Sequence, residues 1–484
     1  MKRGTWGAML GLAAMLSACG GGGSGGSASS GGTTGTGGST GSGGSTPVST
    51  ATCGLRARQD WAAAQLREWY LFPETLPASL DPAGYTSVDS YIDALTANAR
   101  AQRKDRYFTY LTSIREEDGY YANGESAGLG FRLSSDTAQR RVMVAEAFEG
   151  GPALNAGIDR GAEILAIGTS AANLRTVASL FAAQGEYGIY DALGDDVPGV
   201  TRLLRISDRA GVRDISVTKA DFALTPVSAR YGTQIFDEGG RKVGYVALRT
   251  FIETADPALR AAFARFREQG VTELIVDLRY NGGGIISIAE LLNDLLGRDR
   301  STGDVQGYTS FRPEKSANDR VRLFRPQPES IAPSRIAFIG TEGTASASEL
   351  VINAMTPYLR ARSALIGTNT YGKPVGQIAL DRSECDDRLR VVALAVQNSA
   401  RSAAYFNGLA GTVEASCAAS DDLAVPLGDR REASLARALD FLAGRPCTPI
   451  SRTSGTITGQ SLGGQNLLVP DRPTVAQRTV PGLF

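Results

Sequence analysis

The stretch "ELIVDLRYNGGGIISIAELLNDLLG", residues 273–297, decides the fold class of this chain. It opens with a branched apolar run typical of a buried strand. It then turns at three glycines, Gly282 to Gly284, and continues with the apolar spacing of a helix. The same succession recurs around it, in "RKVGYVALRTF" (241–251), "DPALRAAFARFREQG" (256–270), "SRIAFIG" (334–340), "ASASELVINAM" (345–355) and "SALIGT" (363–368). This repetition predicts an α/β core, in which the loops at the strand ends usually carry the chemistry.

The helix predicted at 256–270 has recognisable boundary residues. We expect Asp256 to be its N-cap, Pro257 to occupy the first helical position and Gly270 to follow its end.

The composition excludes several partners and cofactors. The chain has 484 residues, with 50 Lys and Arg balanced by 50 Asp and Glu, so its net charge gives no reason to expect a nucleic-acid partner. It contains no histidine, and its cysteines are scattered, so we predict no zinc or other metal site. No cofactor is expected either.

The N-terminus has the pattern of an export signal. Lys2 and Arg3 precede a short apolar run that ends in "LSAC", at Cys19. This ending resembles the lipobox of bacterial lipoproteins and predicts a signal peptide over residues 1–18 and lipidation of Cys19. The alternative is an ordinary signal peptide with an incidental cysteine. Residues 19–52 are rich in Gly, Ser and Thr and read as a flexible linker. The protein is therefore expected in a bacterial cell envelope, anchored to a membrane and facing the periplasm.

Four further segments follow the linker. Residues 53–117 are predicted to form a small N-terminal helical domain, 224–447 the α/β core, and 448–484 a C-terminal tail. Residues 118–223 are richer in strands and contain "GLGF", which is followed by "GGPALNAGIDRGAEILAIG". This order resembles a PDZ domain, in which backbone N–H groups hold a peptide carboxylate while the peptide adds a strand to the sheet edge. The predicted peptide-binding residues are Gly128, Leu129, Gly130 and Phe131.

Ser346 is the candidate nucleophile. It lies in "GTASASEL" (343–350), between a predicted strand and the first turn of a helix. A helix N-terminus stabilises negative charge, and the backbone N–H of Ala347 would point toward an oxyanion. The alternative is that Ser346 and Ser348 only cap the helix.

Lys373 is the candidate base. Without histidine, the base must be a carboxylate, the N-terminus or a lysine, and arginine cannot give up its proton. Burial can lower the pKa of a lysine from about 10.4 toward 7. Lys373 lies in "TYGKPVGQ", 27 residues after Ser346, which is enough chain for a helix and a returning strand. The sequence thus predicts a Ser-Lys dyad.

Taken in order, the PDZ-like segment, "YVALRTF", "LIVDLRYNGGG", "GTASASEL" and "IGTNTYGKPVGQ" resemble the C-terminal processing peptidases, or tail-specific proteases. The resemblance covers about residues 118–440. It implies a multidomain α/β protein in which a crotonase-like protease core accompanies the PDZ domain and the helical domain. It also implies cleavage of exported or misfolded proteins near their C-termini.

The resemblance assigns roles to residues of this sequence. Ser346 matches the family nucleophile and Lys373 the general base, while Gln377 and Glu349 match positions that support the dyad. The oxyanion hole would combine the N–H of Ala347 with that of Gly283 or Gly284. Two departures from the family pattern are Pro357, where some members have an aspartate, and Pro374, where a glycine is usual.

Four cysteines remain after Cys19, and an even number in an exported chain predicts two disulfides with three possible connectivities. The stretch between Cys385 and Cys417 looks like a hairpin, so we expect these two to pair. That leaves Cys53 with Cys447.

The leading functional hypothesis is a Ser-Lys endopeptidase at the cell envelope. Its expected partners are proteins or peptides with free C-termini and, through the lipid anchor, a membrane; the oligomeric state stays open. The alternatives are a catalytically inactive peptide-binding envelope lipoprotein of the same fold and a crotonase-type thioester enzyme.

Overall fold

The computed structural model describes residues 52–451 and 465–484. The predicted signal peptide, the lipidation site at Cys19 and almost all of the linker lie outside the described residues. Within the described part of the chain, no helix is long and apolar enough to cross a membrane.

The described residues form twelve α-helices, twenty strands and seven short 3-10 helices. The α-helices are α1 (Leu55–Trp69), α2 (Val88–Leu95), α3 (Ala97–Ala101), α4 (Ile114–Asn123), α5 (Pro152–Asn155), α6 (Val177–Gln184), α7 (Tyr187–Leu193), α8 (Ala255–Glu268), α9 (Ile286–Leu296), α10 (Ala347–Leu359), α11 (Ala433–Leu442) and α12 (Val475–Thr479). The strands are β1 (Tyr110–Ser113), β2 (Glu125–Gly128), β3 (Phe131–Asp136), β4 (Arg141–Ala147), β5 (Glu163–Gly168), β6 (Arg175–Thr176), β7 (Thr201–Asp208), β8 (Gly211–Thr218), β9 (Ala220–Ala223), β10 (Thr233–Glu238), β11 (Arg241–Ala247), β12 (Glu273–Asp277), β13 (Val305–Phe311), β14 (Arg320–Leu323), β15 (Arg335–Gly340), β16 (Ser363–Gly367), β17 (Val375–Arg382), β18 (Asp387–Gln397), β19 (Ser416–Ala418) and β20 (Gln465–Leu467). The 3-10 helices are Pro73–Thr75, Pro82–Gly84, Ala171–Asn173, Pro313–Asn318, Arg360–Arg362, Ser383–Cys385 and Leu409–Gly411.

The predicted α/β core is a six-stranded sheet in the order β10-β11-β12-β15-β16-β19. All its neighbours pair in parallel except β10 and β11. Alternate residues of each strand point to opposite faces. Leu274 and Val276 pack with α8, α9 and α10, while Ile275 packs with α11 on the other side. Both faces are buried, which explains why these strands read as continuous apolar runs.

The start of α8 corrects the predicted cap. The helix begins at Ala255 with Thr254 as N-cap, so Asp256 is its second residue and accepts from Arg260 Nε at 2.7 Å. The earlier start is tolerated because Pro257 then falls in the first turn, where backbone N–H groups lack intrahelical acceptors in any case. Gly270 follows the helix end with φ +68°, as predicted.

A second sheet joins the N-terminal helices to the core. It has the order β1-β18-β13-β14, with β17 pairing along β18. Helices α1 and α2 pack against it, in a buried cluster that includes Leu66 and Ile92 together with Val375 and Val391 of the sheet. This packing fixes the start of β17, two residues after Lys373.

The third sheet holds the GLGF motif. Its order is β20-β3-β4-β5-β7-β8, with β6 beside β5, and β7 and β8 form an antiparallel hairpin. Strand β3 begins at Phe131, the last residue of the motif, and β20 pairs with the second half of β3.

The predicted disulfide pairing is wrong. The bridges join Cys53 to Cys385 and Cys417 to Cys447, with Cα atoms 5.5 Å and 5.4 Å apart. The stretch after Cys385 is not a hairpin, because β18 turns back along β17 and the chain then crosses to the core sheet. Cys385 therefore lies in the β17–β18 turn near α1, while Cys417 lies on the edge strand β19, next to residues 447–448. The prediction of two disulfides is confirmed.

Candidate active site

Ser346 has an unusual backbone conformation. It precedes α10 as the N-cap, with φ +53° and ψ −113°, and it is half-buried. Positive φ is uncommon for residues other than glycine and costs energy that the surrounding structure must supply. Ser346 also forms a capping box with Glu349, so the candidate nucleophile is itself the N-cap residue of α10.

The two serines of the motif differ in their environment. Ser348 is fully buried, and its Oγ donates to the backbone carbonyl of Asn281 at 2.9 Å. Its hydroxyl therefore serves the packing of α10 against the glycine turn.

Glu349 ties the serine segment to the lysine segment. Its buried carboxylate accepts four hydrogen bonds. Oε1 takes the Thr370 hydroxyl at 2.6 Å and the Gly372 N–H at 2.7 Å. Oε2 takes the Ser346 N–H at 3.0 Å and the Lys373 N–H at 2.7 Å. One oxygen atom thus binds the backbones of both predicted dyad residues. Burial raises the pKa of Glu349, although these four donors oppose the rise.

Lys373 has a depressed pKa. Burial lowers the pKa of its ammonium group to about 8, the nearby Asp105 opposes this shift, and the charges of Arg478 and Arg390 add to it. Its Nζ donates to Gln377 Oε1 at 2.8 Å and lies 4.8 Å from the centre of the Phe108 ring.

Gln377 holds the lysine side chain in place. The β17–β18 register shifts between Gly376 and Gln377, an irregularity of the kind that redirects side chains near active sites. Gln377 Nε2 donates to the backbone carbonyl of Phe108, which leaves its Oε1 facing Lys373.

The glycine turn lies against Ser346. A Cβ on Gly283 (φ +113°) would come within 2.8 Å of Ser346 Cβ and 3.0 Å of the Ala347 nitrogen. One on Gly284 (φ +139°) would lie 2.2 Å from the Phe251 carbonyl oxygen. A side chain would clash at either position. The Gly283 N–H already donates to Asn281 Oδ1 at 2.9 Å. Within the described residues, the N–H groups of Gly284 and Ala347 have no acceptor.

The sequence interpretation missed four residues around Lys373: Asp105, Phe108, Arg390 and Arg478. Asp105 is buried and accepts from the Tyr70 hydroxyl at 2.8 Å and the Thr109 hydroxyl at 2.6 Å. Asp105 and Phe108 lie more than 260 residues before the lysine, in the segment expected to form a separate helical domain, and no local motif marks them. Arg478 comes from the C-terminal tail.

The GLGF loop, defined here as Gly128–Phe131, connects β2 to β3 of the third sheet and lies beside the last residues of the chain. The side chains of Leu129 and Phe131 are fully buried, and Gly128 and Gly130 have φ of +151° and +76°. The backbone N–H groups of Gly130 and Phe131 both donate to the carbonyl oxygen of Phe484, at 2.7 Å and 3.2 Å. Among the described residues there is no cluster of His, Cys, Asp and Glu that could hold a metal ion.

The segment that holds the candidate dyad matches a known peptidase family. Residues 242–404, which contain Ser346, Lys373 and Gln377, match Peptidase family S41. This part of the chain is therefore similar to the S41 peptidases, and the predicted resemblance to C-terminal processing peptidases is confirmed.

Two curated proteins and one solved structure are similar to this chain. The chain is 28% identical over 279 residues to Carboxyl-terminal-processing peptidase 3, chloroplastic, of Arabidopsis thaliana, covering 55% of this chain and 49% of that one. It is 26% identical over 333 residues to the Carboxyl-terminal-processing protease of Synechocystis, covering 66% and 68%. The chain spans about half the length of several of these curated relatives. Its fold is similar to the crystal structure of a protein from Bacteroides fragilis assigned to the S41 proteases. The TM-score is 0.62 at 22% identity, covering 79% of this chain and 97% of that one.

Proposed function

We propose that this protein is a serine endopeptidase in which Ser346 is the nucleophile and Lys373 the general base. The observation that carries the proposal is the Glu349 carboxylate, whose Oε2 accepts from the backbones of both residues. The positive φ of Ser346 and the depressed pKa of Lys373 support the same assignment.

The chemistry follows from these residues. Neutral Lys373 Nζ accepts the proton of Ser346 Oγ as the oxygen attacks the substrate carbonyl, and the resulting ammonium then protonates the leaving amine. With a pKa of about 8, roughly a tenth of the lysine is neutral at pH 7. Gln377 positions Nζ, because its Oε1 accepts a hydrogen bond from Nζ at 2.8 Å. In the second half of the reaction, Lys373 accepts a proton from the water that attacks the acyl-enzyme. The resulting ammonium then returns a proton to Ser346 Oγ as the acyl group leaves.

The oxyanion of the tetrahedral intermediate is assigned to the N–H groups of Ala347 and Gly284. Neither group has an acceptor within the described residues. Gly283 is the less suitable second donor, because its N–H is engaged by Asn281. Two preorganised backbone donors are the usual means of stabilising this charge.

We assign residues 118–223 to a PDZ domain and its GLGF loop to recognition of substrate C-termini. The loop carries two N–H groups directed at one carbonyl oxygen, which is the donor arrangement that a carboxylate needs. Lipidation at Cys19 and location at a bacterial envelope, facing the periplasm, complete the proposal and rest on the N-terminal sequence pattern.

The test is hydrolysis of unstructured peptides by the purified chain and two serine variants. Ser346→Ala should abolish hydrolysis, and the matched variant Ser348→Ala should keep most of it, since the Ser348 hydroxyl is occupied by Asn281. Hydrolysis at the wild-type rate by folded Ser346→Ala would refute the assignment of Ser346 as the nucleophile. A wild-type chain that binds peptides without cleaving them would favour the inactive peptide-binding alternative.

A further inference from the structure

The last residues of the chain lie in the groove beside the GLGF loop. We propose that this groove takes polypeptide segments whose last side chain is large and apolar, and that residues 480–484 are its resident ligand, which substrates must displace. We call residues 480–484 the tail segment. The proposal rests on the proposed function for its consequence in catalysis, but the binding it describes can be measured without cleavage.

Backbone pairing shows that the tail segment is bound as an added strand. The Leu133 N–H donates to the Gly482 carbonyl at 2.8 Å, and the Phe484 N–H donates to the Phe131 carbonyl at 2.9 Å. An isolated antiparallel bridge joins Arg132 and Leu483 between them. Together with the two loop N–H groups on the Phe484 carbonyl, this completes strand addition at the edge of β3. Gly128 is needed for this approach, because a Cβ there would lie 2.7 Å from the Phe484 carbonyl carbon.

The side-chain contacts define what the groove selects. Phe484 is 4% exposed, and its ring stacks on Tyr190 of α7 with centroids 5.7 Å apart and planes at 20°. It belongs to the same buried cluster as Leu129 and Phe131 of the loop. A pocket with apolar walls and one stacking aromatic ring favours a large apolar or aromatic side chain at the last position.

Polar contacts hold the rest of the tail segment. The Pro481 carbonyl accepts from Arg132 Nε at 3.0 Å, and the Leu483 carbonyl accepts from Gln477 Nε2 at 2.9 Å. Gln477 Nε2 also donates to Asp196 at 2.8 Å, so Gln477 links the tail segment to the loop that follows α7.

The residues just before the tail segment reach the active site. The Gly282 N–H donates to the Thr479 carbonyl at 2.8 Å, and a Cβ on Gly282 would lie 2.5 Å from the Arg478 carbonyl oxygen. Gly282 adjoins Gly283, which packs against Ser346. A substrate bound in the groove and extending along the glycine turn would occupy the same space. Bound tail and bound substrate therefore exclude each other.

The bound tail segment should lower the apparent affinity of the groove for other peptides. When a groove is free in only a fraction of molecules, the apparent affinity for a competing ligand falls by that fraction. A ligand tethered in the same chain acts at an effective concentration on the order of millimolar, so its occupancy is high even when its own affinity is modest.

The experiment uses the full chain with Ser346→Ala, so that no peptide can be cleaved. A fluorescent peptide of sequence TVPGLF is titrated against this protein and against the same protein carrying Phe484→Asp, with anisotropy as the readout. We expect the peptide to bind the Phe484→Asp protein at least ~10-fold more tightly, because the charged residue removes the resident ligand from its apolar pocket. Val212→Asp is the matched control, since Val212 lies in β8 at the opposite edge of the same sheet and is 64% exposed, and it should bind like the parent.

Deletion of residues 480–484 is the second variant and should match Phe484→Asp. Unfolding curves of all four proteins establish that each is folded before binding is compared. Equal affinity in the parent and both folded tail variants would overturn the proposal, as would absence of binding to either folded tail variant. Failure of the proposed function would instead appear as absence of hydrolysis in every Ser346-containing protein, with the difference in binding intact.

Discussion

Replacing the carboxylate of Glu349 should break the link between Ser346 and Lys373. The carboxylate is fully buried and accepts from three backbone N–H groups and the Thr370 hydroxyl. In Glu349→Gln, one oxygen becomes an NH₂ group, which cannot accept from an N–H. If the NH₂ faces Thr370, the hydroxyl can rotate to accept from it, but the Gly372 N–H loses its partner. If it faces the other way, the N–H groups of Ser346 and Lys373 both lose theirs.

The expected loss of stability follows from the number of N–H donors that lose their acceptor. A buried donor left without a partner costs about 1–3 kcal/mol, so Glu349→Gln should lower the free energy of unfolding by about that amount. Glu349→Ala leaves all four donors unpaired and should cost several times more. We also expect kcat to fall at least ~10-fold in Glu349→Gln, since small displacements of reacting groups reduce rates strongly.

Urea unfolding and peptide hydrolysis, measured on the same preparations, test this prediction. Glu342→Gln is the control, because Glu342 lies in the exposed part of the loop before α10, and it should change neither quantity appreciably. A Glu349→Gln protein with wild-type stability and wild-type kcat would refute the role given to this carboxylate.

Three further predictions concern pH, the disulfides and substrate ends. Activity should rise with pH through about 8, because Lys373 must lose its proton to act as a base; a pH profile that is flat from 6 to 9 would contradict this. Non-reducing peptide mapping should join Cys53 to Cys385, and the paired Cys→Ser variant should lose about 2–4 kcal/mol of stability in denaturant unfolding. In the Phe484→Asp protein, amidating a bound peptide's C-terminus should weaken its binding by roughly 10- to 150-fold, because a charge-assisted hydrogen bond is lost, whereas blocking only its N-terminus should not. Equal binding of the free-acid and the amidated peptide would show that the GLGF loop does not recognise the terminal carboxylate.

Local patterns predicted much of this fold. Branched apolar runs and glycine turns placed β12, α9, β15 and α10 correctly, because a parallel sheet buried on both faces imposes a continuous apolar pattern on each strand. The candidate dyad was also accessible to sequence reasoning, since a chain without histidine has few possible bases.

Contacts between distant segments were not predictable in the same way. The pairing of Cys53 with Cys385 depends on α1 lying beside the β17–β18 turn, and nothing near either cysteine encodes that arrangement. The approach of Phe108 to Lys373 is likewise a product of packing between β1 and β18. The N-cap of α8 was misplaced because Asp256 and Pro257 form a strong local start signal, while the turn from Ile252 to Ala255 extends the helix backward.

The central claim, that Lys373 activates Ser346, is tested most directly by the rate at which a fluorophosphonate labels the protein, with the modified residue located by mass spectrometry. We expect one adduct, on Ser346. We also expect a labelling rate at least ~100-fold lower in folded Lys373→Arg, since arginine keeps the charge but cannot accept the proton. Lys242→Arg, at an exposed lysine, should label at the wild-type rate. An adduct on Ser348 in place of Ser346, or wild-type labelling of Ser346 in Lys373→Arg, would show that Lys373 does not activate Ser346.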